Sequence, residues 1–249
     1  MRQDRGLLTA EHDSTTVVVN EIFGPTVQGE GPSMGRNCAF IRLGGCNLSC
    51  RWCDTPYTWD WKGVSDTAIA FDPRKELHRM TARKIIAEVR SKGVDLLVVS
   101  GGEPLSQQHR IIPLIAELRS TGMSVEIETN GTIVPHDRLI GLGVRFNVSP
   151  KLAFAGDTIG RRIVPQALER LNGTAGVAFK FVCRTVSHLD EVAELQASHR
   201  LREIWITPEG RTVKDLDRHF PGLADEVTRR GWNLSHRLHM LAWGEKRGV

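Results

Sequence analysis

Apolar positions follow two different periods along this chain. Residues 1–15 show neither period and read as a flexible N-terminal extension, ahead of a single domain spanning 16–249. Thr16 to Phe23 and Cys38 to Leu43 are short β-branched and apolar runs that predict strands, joined by the Gly/Pro-rich connection Gly24 to Gly35. From Thr81 the pattern alternates. A helix over Thr81 to Lys92, with Thr81 as N-cap and Gly93 as stop, precedes a strand at Asp95 to Ser100. Helices at Ile111 to Ser120, Pro135 to Ile140, Val164 to Leu171 and Leu189 to Ala197 then alternate with strands at Ser124 to Glu128, Val144 to Ser149, Ala178 to Cys183 and Glu203 to Thr207. Helical segments at Val213 to Arg230 and a weak strand at Asn233 to Leu238 close the series. Strands separated by helices imply right-handed parallel crossovers. About six such units predict an α/β fold, an incomplete parallel βα barrel. The stretch near 57–80, with Trp59 and Trp61 but no period, reads as an insertion.

Composition narrows the function classes. There is no apolar run of about 18 residues and no signal-peptide core, which predicts a cytoplasmic protein without a membrane partner. A net charge of +4, from 33 basic and 29 acidic residues without a basic block, nominates no nucleic acid. Three of the five cysteines, Cys46, Cys50 and Cys53, fall within eight residues after a strand and the Gly44-Gly45 turn. Three thiolates on one loop suit an iron–sulfur cubane with one iron left open, whereas structural zinc wants four protein ligands. Cys38 and Cys183 sit in apolar strands and read as core.

The C-x3-C-x2-C spacing resembles the signature of the radical S-adenosylmethionine (SAM) superfamily. Ser100-Gly101-Gly102-Glu103-Pro104, Glu126-Ile-Glu128-Thr-Asn130-Gly131 and Ser149-Pro150-Lys151 follow in order at strand ends, the face where barrel sites assemble. In the GGEP segment, glycines would let backbone approach the SAM amino group without a Cβ in the way. Glu21-Ile-Phe-Gly-Pro-Thr-Val-Gln28-Gly29-Glu30-Gly31, Phe40-Ile-Arg42-Leu-Gly-Gly-Cys46-Asn47-Leu48 and Cys53-Asp54-Thr55 resemble the 7-carboxy-7-deazaguanine synthases, from about Asn20 to Trp243-Gly244.

That resemblance implies a radical SAM lyase of queuosine and 7-deazapurine biosynthesis: 6-carboxytetrahydropterin becomes 7-carboxy-7-deazaguanine with loss of ammonia, SAM acting catalytically. It further implies a 4Fe-4S cluster on Cys46, Cys50 and Cys53, Mg2+ with Thr55 as ligand, a homodimer, and an electron donor such as a flavodoxin or ferredoxin. SAM contacts map to Trp52, Cys53, Asp54, Gly102, Glu128, Ser149, Pro150, Lys151 and the segment Thr207, Pro208, Glu209, Gly210. That last segment departs from the Gln-Pro-Met-Asp of many relatives. Substrate contacts map to Val27, Gln28, Gly29, Arg42, Ser100 and His239, with Arg42 and His239 at the carboxylate. A strand over Ser235 to Leu241 would put His239 on one face with Arg237 and opposite His236. For Thr55 the alternative is turn capping. Two rival functions are a radical SAM activase acting on a partner protein and a zinc-stabilised binding module.

Overall fold

The computed structural model describes residues 16–249; the extension read at 1–15 lies outside the described residues. Nine strands form one sheet in the order β3-β1-β2-β4-β5-β6-β7-β8-β9. β1 (Thr16–Val27) is antiparallel to β2 (Asn37–Leu43) and to the edge strand β3 (His78–Thr81). From β2 onward pairing is parallel through β4 (Leu96–Gly101), β5 (Ser124–Thr129), β6 (Arg145–Val148), β7 (Val177–Cys183), β8 (Ile204–Pro208) and β9 (Asn233–Leu234). Seven parallel strands require six crossovers, and β3 and β9 remain separate edges. The barrel is incomplete.

The helices in chain order are α1 (Pro73–Glu76), α2 (Ala82–Ser91), α3 (Gln108–Ser120), α4 (Asp137–Gly141), α5 (Ile159–Arg162), α6 (Pro165–Asn172), α7 (Val186–His199) and α8 (Val213–Arg229); α2, α3, α4, α6, α7 and α8 bury apolar residues in the main core against the sheet. Their apolar stripes, such as Ile85, Ile86 and Val89 of α2 and Ile111 and Ile115 of α3, pack on Leu97, Val99 and Ile127 of the sheet. β4 is buried on both faces from Leu96 to Ser100, as expected of a central parallel strand. Each fully buried Leu or Val there contributes about 1.5–3 kcal/mol. Thr81 caps α2 as the sequence predicts, its hydroxyl accepting from the Lys84 N–H.

Three readings need correction. The connection Gly24 to Gly35 is in part strand, because β1 runs on to Val27 through two register shifts against β2. The aperiodic stretch near 57–80 ends in α1 and β3, a short edge strand whose pairing with β1, not its own pattern, makes it a strand. The weak last strand stops at Leu234, and the chain turns into α9 (Leu238–Trp243). His239 therefore lies on a helix, and the period-of-two argument about its facing does not apply.

Candidate active site

The cysteine loop leaves the C-terminal end of β2 and is held against its neighbours by backbone. Gly101 has φ +126° and Gly102 carries no Cβ for a stated reason: a Cβ on Gly102 would lie 1.8 Å from the Gly45 carbonyl oxygen. The Glu103 N–H donates to that same carbonyl at 2.8 Å, and the Gly102 N–H to Leu43 O at 2.9 Å. Gly102 thus admits the cysteine loop itself, and Gly101 the backbone of Leu43 at the end of β2. Glu103, fully buried, accepts from Leu105 N (2.9 Å), Thr129 Oγ1 (2.7 Å) and Asn130 N (2.7 Å). Burial pushes its carboxyl up, against the pull of these donors. Asn130 in turn donates to Asn47 Oδ1 at 2.9 Å, and Asn47 to Thr132 Oγ1 at 2.7 Å. The ends of β4 and β5 and the cysteine loop are one hydrogen-bonded block.

The thiols of Cys46, Cys50 and Cys53 line a single cleft. Among the described residues no three His, Cys, Asp or Glu side chains converge closely enough to hold one metal ion. A zinc ion would draw its thiolates to about 2.3 Å from one point, whereas a cubane takes each thiolate on a different iron. Burial pushes the Cys46 and Cys50 thiols up to about 12 and raises Cys53 as well, so thiolates here require a cationic partner. N–H donors already face the sulfurs: Trp59 Nε1 lies 3.3 Å from Cys53 Sγ, and Leu48 N lies 3.5 Å from Cys46 Sγ. Three thiols without a fourth protein ligand beside them among the described residues are a donor set that fits an iron–sulfur cluster with one open iron. Cys38 and Cys183 are fully buried in β2 and β7, as read from the sequence.

The cleft has two lobes that share Glu30, Arg42, Asp54, Thr55, Ser100, Glu128 and Arg237. The two lobes are continuous through these shared side chains. The cluster lobe collects Trp52, Gly102, Ser149, Lys151 and Thr207 to Gly210. Trp52 stacks on Phe154 with centroids 5.3 Å apart, and its buried Nε1–H has no partner among the described residues. Lys151 Nζ donates to Ser149 Oγ at 2.9 Å. Pro150 does not line this lobe.

The second lobe collects Val27, Gln28, Tyr57 and His239. Gly29 does not line it. Its missing Cβ is what admits the His239 ring, which would otherwise sit 1.8 Å away at Nδ1. Gln28 is oriented from beneath, Nε2 donating to Glu126 Oε1 (2.8 Å) and Glu128 Oε1 (3.2 Å). Ser100 Oγ donates to Glu128 Oε2 at 2.9 Å. Arg42 gives only Nε to Glu21 Oε1, at 2.8 Å, and no other hydrogen bond of its guanidinium falls among the described residues. Thr55 does not cap the turn that follows it; its hydroxyl lies in the cleft, 3.7 Å from Cys53 Sγ. The capping alternative fails.

Sequence reasoning missed the charges at the seam of the lobes. Arg237 donates to Glu30 Oε1 (2.7 Å), to Gly210 O (2.6 Å) and to Asp54, tying the loops of both lobes together. Lys180 reaches Glu30 Oε2 at 2.5 Å. Burial alone would raise Glu30 and Asp54, but the Lys180 and Arg237 charges overcome it for Glu30, and Arg237 for Asp54, holding both carboxyls below their ordinary range. The available signal was a lone lysine in the apolar run Val177–Cys183. For His239, burial and the Arg237 charge lower the pKa against the pull of Glu30, so the free protein favours the neutral ring.

Residues 40–164 match the Radical SAM superfamily. A 7-carboxy-7-deazaguanine synthase of Hyperthermus butylicus is 30% identical over 233 residues, 92% of this chain and 93% of that protein. The enzyme of the same name from Escherichia coli K12 is 31% identical over 89% of this chain and 96% of its own length. The crystal structure of QueE from Escherichia coli superposes with a TM-score of 0.70 at 27% identity, covering 93% of this chain and 98% of that one.

Proposed function

Because the chain belongs to the radical SAM superfamily and, within it, to the 7-carboxy-7-deazaguanine synthases, we propose that it converts 6-carboxytetrahydropterin to 7-carboxy-7-deazaguanine with release of ammonia. One observation carries the reading: the three thiols open onto a cleft whose second lobe is lined by Gln28, Arg42 and His239. When bound at Cys46, Cys50 and Cys53, the cluster supplies the electron that makes SAM a source of a hydrogen-abstracting radical.

The chain's own residues bind, orient and shield. Trp52, Ser149, Lys151 and Thr207 to Gly210 wall the cluster lobe and would hold SAM. Arg42 would present the open end of its guanidinium to the substrate carboxylate, a forked match that a lysine cannot make. His239 would add a second donor as that carboxylate raises its proton affinity. The Thr55 hydroxyl is a hard oxygen donor on the seam, suited to Mg2+ beside waters and substrate oxygens. Glu128 lines both lobes, so its role extends from SAM to the substrate side. The same reading makes the enzyme a cytoplasmic homodimer supplied with electrons by a flavodoxin or ferredoxin; among the described residues no helix is long and apolar enough to cross a membrane.

The test is an anaerobic assay with reconstituted protein, 6-carboxytetrahydropterin, SAM and a reductant. Mass spectrometry should find 7-carboxy-7-deazaguanine with one ammonia per turnover and SAM not consumed stoichiometrically. Deuterium transfer into a partner polypeptide, with the pterin unchanged, would favour the activase and overturn the reading.

A further inference from the structure

Lys180 is a charged residue in an apolar strand, and the fold explains its burial. In β7 its neighbours Phe179 and Phe181 enter the core under the helices, so Lys180 projects to the concave side with Val182, into the cluster lobe. There its Nζ lies 2.5 Å from Glu30 Oε2 and 3.6 Å from Glu128 Oε1. The two carboxylates come from distant parts of the chain, the segment after β1 and the end of β5, and both line both lobes. Their remaining oxygens are held from other directions, Glu30 by Arg237 Nε at 2.7 Å and Glu128 by Ser100 Oγ at 2.9 Å. Arg237 cannot take over the bridge, because it is also engaged by Asp54 and Gly210 O.

We propose that Lys180 is a positioning residue that bridges Glu30 and Glu128, so that together they present acceptors to the N–H edge of the substrate's amino-oxo pyrimidine ring. The inference rests on the pterin reading above and names the part of the site that reads the ring rather than its carboxylate. A 2-amino-4-oxo pyrimidine offers adjacent N–H donors, and ionised carboxylates only accept, which makes the match selective. Without the ammonium, two carboxylates would face one another in a buried cleft and one would take up a proton, turning an acceptor into a donor. The other charged groups facing the pair are Arg237, His239, Asp54 and Glu126, which shares the Gln28 amide donor with Glu128. Of these Arg237 is paired with both Glu30 and Asp54 and His239 favours its neutral form, so Glu128, held otherwise among the described residues only by the neutral donors Gln28 and Ser100, is the carboxylate that would take up the proton.

The experiment compares the reconstituted parent, Lys180→Met, Lys180→Arg and Lys180→Met/Glu128→Gln, with iron content and SAM binding measured in each. Infrared titration between pH 5 and 8 should show a new buried carboxylic acid band in Lys180→Met, absent from the parent, from Lys180→Arg and from the double variant. Equilibrium binding of 6-carboxytetrahydropterin should weaken in Lys180→Met by about tenfold more at pH 6 than at pH 8, one unit of proton affinity being tenfold. A loss of affinity equal at both pH values, or no acid band in Lys180→Met, would overturn the proposal. A parent that binds no pterin, while the acid band still appears in Lys180→Met, would overturn the pterin reading and leave the lysine's effect on the carboxylates standing.

Discussion

Replacing Gly102 by alanine tests what the glycines of the GGEP segment do. The added Cβ would stand 1.8 Å from Gly45 O, 2.3 Å from Gly45 C and 2.9 Å from Cys46 N, all backbone atoms with no rotamer to escape into. Real Cβ contacts essentially never fall below 3.0 Å, so the carbonyl must retreat by at least 3.0 − 1.8 = 1.2 Å. That carbonyl accepts the Glu103 N–H at 2.8 Å, so the shift strains this hydrogen bond and acts directly on the residue before Cys46. Overpacking of this kind costs about 1–3 kcal/mol. It falls on the loop that carries the thiolates, so cluster retention should suffer more than global stability. The assay is iron and sulfide content with visible absorbance after anaerobic reconstitution, beside thermal unfolding. Gly102→Ala should hold well under half the parent's iron and lose its cluster faster in air. Gly222→Ala, within α8 where nothing lies within 4 Å of the new Cβ, is the control and should be neutral or stabilising by up to about 1 kcal/mol. Full, stable iron content in Gly102→Ala together with weakened SAM binding would refute the packing argument and restore ligand approach as the reason for the glycine.

Ala at Cys46, Cys50 or Cys53 should abolish the cluster, whereas Cys38→Ala and Cys183→Ala should keep it, as iron analysis will show. The latter two should lower stability by about 1–2 kcal/mol through small cavities. Thr55→Ala should weaken or abolish the magnesium dependence of turnover, and an unchanged rate and magnesium response would remove it as a ligand. His239→Ala should weaken pterin binding or turnover with SAM binding and cluster content intact, and His236→Ala, packed on Phe220 at 4.8 Å, should be nearly silent in activity. Because burial holds His239 below its ordinary range in the free protein and a bound carboxylate raises it, pterin binding should take up protons and tighten as pH falls from above the raised pKa of the complex toward the lowered pKa of the free protein. Calorimetry in two buffers of different ionisation enthalpy reads this uptake; none in the parent, with none in His239→Ala, would detach His239 from the carboxylate.

Local chemistry was legible in the chain itself. The alternation of periods placed β4 to β8 and their helices, because a parallel strand buried on both faces needs a continuous apolar run whatever its neighbours are. Cys46, Cys50 and Cys53 stood out as a ligand set by their spacing, since thiols on one short loop are close before any folding occurs. Pairings across the molecule were not legible. β3 is a strand only because β1 lies beside it, and Leu238 to Trp243 is helical where a strand was expected. The seam of Glu30, Lys180, Glu128, Asp54 and Arg237 joins residues up to 207 positions apart, Glu30 with Arg237. No local period encodes such a meeting. Residue type and spacing chose the cofactor; curling the open sheet brought distant charges together in a low-dielectric cleft, where proximity rather than sequence order sets their protonation and their use.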